Sequence, residues 1–218
     1  MSGDANAPLP EGAASVLEWW YGPLEERLKP GYQHRYQLWF GRGADDEIKQ
    51  RFGGMIHEVG SSVDERCKWC ATPRGTLAYI VLLDQLNRNF HRGTDQMFAH
   101  DGKCLEEARR LVAEKRHLDG SLSPPELAHL LICLTHSESP ADHELNLRTL
   151  IPELLASLPA PQIRHFEGHA HMANVHADEI RRFGRFPHRN ALLCRDDTEE
   201  ERRWLEQSNY GYHNQVKK

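Results

Sequence analysis

Several things are missing from this sequence, and each absence narrows the reading. No apolar run in its 218 residues approaches the roughly 20 needed to span a bilayer, which argues against an integral membrane protein. The stretch Met1–Ser15 is rich in Ala, Pro, Gly and acidic residues. It has neither the basic nor the apolar region of a secretory leader. Cysteines are few: five, at 67, 70, 104, 133 and 194. An odd, scattered set makes a poor disulfide framework and points to reduced thiols in a cytoplasm. A basic surplus is absent too, with a formal net charge of −5 and a pI near 6.3. Nothing global therefore attracts nucleic acid or an anionic membrane. No segment alternates apolar and polar residues at period two, and no repeat of fixed length appears. There is no glycine-rich phosphate loop, GxSxG elbow or HExxH pair. Cys67-Lys-Trp-Cys70 is one half of a zinc set without its other half. The reading assigns no metal and no cofactor.

What remains is helical punctuation. Val16, Leu17, Trp19, Trp20 and Tyr21 predict a short docking helix, broken at Gly22-Pro23, and Tyr36–Phe40 predicts a second aromatic anchor. Asp45 or Asp46 is read as the cap of a helix burying Ile48, Phe52, Met55, Ile56 and Val59. Thr72-Pro73 opens a helix running to about Phe90, apolar nearly all round and so expected to be central. Asp101 is read as the cap of the next. Ser123-Pro-Pro-Glu126 is a capping box, and another helix is expected over 140–155. Pro161 opens a long helix that ends at Gly184, and Thr198–Glu201 caps a short last one. Connections are short, so neighbours should be antiparallel. The expectation is a single all-α domain over residues 11–210, with a disordered tail at 1–10 and a flexible one at 211–218.

Three segments are dense in polar residues: Asp84 to Gly93, His136-Ser137-Glu138, and Arg182 to Asn190. Each ends a helix, and one helix separates each successive pair. If neighbours alternate in direction, all three segments fall at one end of the domain. The string Leu83-Asp84-Gln85…Arg88-Asn89…Arg92-Gly93-Thr94, then His136-Ser137-Glu138, then His176…Phe183-Gly184-Arg185-Phe186-Pro187-His188-Arg189-Asn190 resembles the bacterial domain-of-unknown-function family numbered 924. The resemblance runs from about Val16 to Leu205. It implies an all-helical, tetratricopeptide-like superhelix and no particular reaction. This chain has Leu86-Asn87 where the family pattern has an aromatic–proline pair, and His143 where it commonly has glutamine.

Arg88, Arg92, Arg185 and Arg189 are permanent cations, whereas Asp84 and Glu138 are the obvious acids. A pocket here would favour an anion, since guanidinium forks suit carboxylate or phosphate. His136 and His188 are candidate acid–base groups, with Glu138 or Asp84 orienting the imidazole and Glu138 placed among the catalytic candidates. Asp84, Arg88, Asn89, Arg92, His176, Arg185, Arg189 and Asn190 are candidate ligand contacts. The predicted partner is a small anionic metabolite, bound or transformed at the shared helix end. Two other readings stand beside it: a closed structural network, because cations are favoured near helix C-termini anyway, and a non-catalytic scaffold that docks a protein partner.

Overall fold

The computed structural model describes residues 8–23, 25 and 41–207. The expected aromatic anchor at Tyr36–Phe40, most of the N-terminal tail and the C-terminal tail lie outside the described residues. Within them the chain is helical, with no strand. Helix α1 (Ala13–Tyr21) leads to α2 (Asp45–Ser61), α3 (Val63–Trp69) and α4 (Pro73–Ile80). A π-helical stretch, Val81–Leu86, joins α4 to α5 (Asn87–Phe90), then α6 (Asp101–Ala113) and α7 (Pro124–Thr135) follow. Helix α8 (Pro140–Leu145) passes through a second π-helical stretch, Asn146–Leu150, into α9 (Ile151–Ser157). The long α10 (Ala160–Phe183) and the short α11 (Glu199–Gln207) complete the described chain.

The start signals act as read. The Thr72 side chain accepts from Gly75 N–H, with Pro73 at the first helical position. The Ser123 amide donates to Glu126 Oε2 at 2.7 Å, and Thr198 and Glu201 exchange both bonds of a capping box. Gly184 closes α10 at φ 68°, a left-handed conformation that side chains resist. Two cap assignments are corrected. Positions before α2 and α6 are Ala44 and His100, neither with a side-chain cap. Asp45 and Asp101 are the first helical residues instead, and their carboxylates are turned to arginines. The helix expected over 140–155 is interrupted, because Pro152 has no N–H to offer the ladder. The Ile151 N–H reaches back five residues to the Asn146 carbonyl in a widened turn.

A contiguous core runs through α1 to α10. Trp20 and Trp69 are among its largest fully buried side chains, each contributing at most about 4–6 kcal/mol by area. Trp20 Nε1 donates to His129 Nε2 at 2.8 Å, so its one polar atom is satisfied inside α7. The run from α4 to α5 is buried on every side through Leu86, as its uniform apolarity predicts. Asp84, on the π-helical stretch, is the one carboxylate buried in that run. It is 1% exposed.

Candidate functional site

A buried carboxylate must find donors, and Asp84 finds three. Gln85 Nε2 donates at 2.5 Å, Arg88 Nη2 at 2.8 Å and His136 Nδ1 at 2.9 and 3.0 Å. Burial pushes the Asp84 carboxyl up, but His136 and Arg88 more than reverse this and hold it well below the ordinary aspartate range. An ionised carboxylate can only accept, so Nδ1 of His136 carries the proton of that contact. The other ring nitrogen, Nε2, makes no hydrogen bond within the described residues, and the side chain is 19% exposed. Burial lowers the His136 pKa; Asp84 opposes this, while Arg88 and Arg189 assist it. The result is an imidazole fixed in one tautomer, its protonated form disfavoured by burial, with Nε2 unbonded among the described residues.

Around this pair the three polar segments meet. Arg88 Nη2 also donates to Asp101 Oδ1 at 2.7 Å, and Arg189 Nη1 lies 3.4 Å from Asp101 Oδ2. Arg189 Nη2 donates to the His136 carbonyl at 2.9 Å, which joins the last segment to the end of α7. The Arg189 guanidinium sits between two rings, 4.8 Å from the Phe98 centroid and 4.6 Å from that of Phe186. Arg88 faces the Phe98 ring as well. His176 and His188 lie against Phe186, with ring centroids 5.5 and 5.3 Å away. Burial lowers both histidines, His176 to about 4 and His188 to about 3. His188 Nδ1 is 3.3 Å from the buried Glu179 carboxylate. Arg189 is brought down to about 10, first by burial and then by repulsion from Arg88.

Of the sequence candidates, Asp84, Arg88, His136, His176, His188 and Arg189 are brought together. The others are placed elsewhere. Glu138 does not orient a histidine: it accepts from the Phe186 amide at 2.8 Å and from both ends of the Arg195 fork at 2.7 and 2.9 Å. Its pKa is lowered, because Arg195 and the Phe186 amide outweigh burial. Arg185 turns outward and pairs with Glu201 at 2.7 and 2.8 Å. Arg92 forks onto Asp45 at 2.8 and 3.1 Å and so ties the end of α5 to the start of α2. Asn190 donates to Asp197 and accepts from Arg195. Asn89 is buried in α5. The free surplus of cations is therefore smaller than expected, since Asp45, Asp101 and Glu201 each answer an arginine. Arg189 differs: it is 8% exposed, and among the described residues its nearest carboxylate contact is 3.4 Å away and its buried Nε has no hydrogen-bond partner.

Sequence reasoning missed Asp101, Phe98 and Arg195. Asp101 had a signal: four arginines with two obvious acids require further carboxylates nearby. Arg195 had none.

An all-helical protein with an arginine–aspartate–histidine cluster at the meeting point of three helix ends is what these residues define. Residues 16–209 match the family model described as "Bacterial protein of unknown function (DUF924)", and the chain belongs to that family. It is similar to the solved "Structure of Protein of Unknown Function ATU0120 from Agrobacterium tumefaciens", with 25% identity and a TM-score of 0.67. That similarity covers 90% of this chain and 97% of the other. No curated protein matches the chain. No helix among the described residues is long and apolar enough to cross a membrane.

Proposed function

We propose that this protein is an enzyme acting on a small anionic metabolite, with His136 as general base and Arg189 as the anion contact. The observation that carries this reading is the Asp84–His136 pair. A buried carboxylate holds Nδ1, and among the described residues Nε2 is left unbonded on a side chain that still reaches solvent. Such a pair fixes the tautomer and stabilises the imidazolium that forms when Nε2 takes a proton from substrate or water. Positioned proton transfer of this kind contributes about 10²–10⁴-fold to rate. Arg189 supports the anion preference because its charge is the least compensated of the buried cations. The superhelical, tetratricopeptide-like array and a cytoplasmic setting belong to the same proposal. Packed helices hold the site rigidly, and five free thiols suit a reducing compartment.

The scaffold alternative has no comparable support. The large apolar side chains exposed among the described residues, Val63, Leu118, Leu155 and Met172, sit on separate elements and form no anchor series along one helix. The test is a thermal-shift screen of small metabolites, followed by turnover assays on those that stabilise the protein. His136→Gln should keep ligand binding and lose turnover by 100-fold or more. Unchanged turnover in a folded His136→Gln protein would overturn the assignment.

A further inference from the structure

Asp101 is the acid that the arrangement treats most unusually. Its two oxygens are divided between two guanidinium groups. Oδ1 takes a 2.7 Å bond from Arg88, whereas Oδ2 stands 3.4 Å from Arg189, an ion pair longer than a close charge-assisted hydrogen bond. Arg88 Nη2 already serves Asp84 at 2.8 Å, so one nitrogen is shared by two carboxylates. Among the described residues, both arginines have a buried Nε with no hydrogen-bond partner. Asp101 bridges the two guanidinium groups, firmly at Arg88 and loosely at Arg189, and so occupies an anion subsite on Arg189 with a residue of the chain. The Asp101 side chain is 15% exposed against 1% for Asp84, so only the first lies open to exchange.

Resting on the reading given above, we infer that Asp101 is a resident counter-anion at an Arg88–Arg189 subsite, and that a carboxylate on the substrate takes its place at Arg189. The occupant sets the ligand class. A planar carboxylate already spans the two guanidinium groups, so another carboxylate reproduces its shape and its single charge. A phosphate dianion does not fit the charge balance. With Asp84 fixed and Asp101 still near Arg88, it would set four negative charges against two guanidinium groups. Arg189, clamped between Phe98 and Phe186, presents its edge without having to be ordered by the ligand.

Removing the resident anion tests this. In Asp101→Ala the subsite is vacant, and formate should fill it. Formate at about ten times its Kd should raise the Tm by about 3 °C or more over chloride at equal ionic strength. The wild-type protein should move by less than about 1 °C, and Asp101→Ala/Arg189→Gln should not respond. A formate response equal to that of chloride would overturn the inference, as would a response that survives Arg189→Gln. If Asp101→Ala does not fold, Asp101→Asn carries the test: it should bind acetate at least tenfold more tightly than wild type, and equal affinity would overturn the inference. The result is separable from the catalytic reading. Formate rescue together with unchanged turnover in His136→Gln would leave the subsite standing and remove the base.

Discussion

Replacing Asp84 by Asn tests whether this buried carboxylate organises the whole site. The change keeps the volume and removes the charge. Three donors converge on the carboxylate, from Gln85, Arg88 and His136. An amide offers one oxygen and turns two N–H groups toward donors, so at least one former partner is left facing hydrogen. Breaking a buried pair costs about 3–5 kcal/mol. Arg88 keeps its 2.7 Å bond to Asp101, which places the cost near the lower end. About 3 kcal/mol corresponds to about 6–12 °C in Tm for a chain of this size. The measurement is thermal unfolding followed by helical circular dichroism at pH 7.5, at low salt and again in 0.5 M salt. The loss should hardly change with salt, because the pair is shielded from ions. The pH dependence has a definite sign. A folded-state pKa held below the unfolded value stabilises the native state above about pH 4, and that contribution fades as the pH falls through the folded value. The gap between wild type and Asp84→Asn should therefore be full at pH 6–7.5 and shrink below about pH 4. A Tm within 2 °C of wild type at pH 7.5 would show that the Asp84 network does not hold the site together.

Glu138→Gln should release the segment after Gly184 rather than disturb His136. It should cost about 1.5–3 kcal/mol as the charged bonds to Arg195 weaken, and amide exchange at Phe186 should accelerate; unchanged exchange there would contradict the role assigned to Glu138. His176, lowered to about 4 chiefly by burial, should make the fold acid-sensitive. Above about pH 6.5 it is neutral in both states and contributes nothing; from there down to about 4 only the unfolded chain gains the proton, so stability falls by up to about 1.4 kcal/mol per pH unit. Wild-type Tm should drop between pH 7 and 5, and His176→Gln should reduce that slope; identical slopes would refute the assignment.

The helices were legible because their signals are local. Thr72-Pro73, Ser123-Pro-Pro-Glu126 and Thr198–Glu201 each carry a start within a few residues, and each start is where the structure places it. The meeting of the polar ends was also legible, since alternating direction over short connections leaves few other arrangements. Which acid answers which arginine across separate elements was not. Asp45 and Asp101 stand where a capping residue would, and local sequence cannot distinguish a carboxylate that folds back on its own helix from one that crosses to Arg92 or Arg88. Glu138 was read, like Asp84, as a carboxylate that could orient His136 or His188, but two residues past His136 at a helix end its side chain points elsewhere and accepts from Arg195, 57 positions along the chain.

The widened turn at Val81–Leu86 sets how this wall of the site tolerates a change of length. It accommodates one residue more than a regular helix would over the same span. Removing a single residue there would let the ladder return to ordinary spacing and leave Arg88 and the helix beyond it in phase with α4. The same deletion one turn earlier, in the regular helix before Val81, would instead turn everything beyond it by about 100° about the helix axis. The stretch beside Asp84 is therefore where this wall can lose a residue and still face His136.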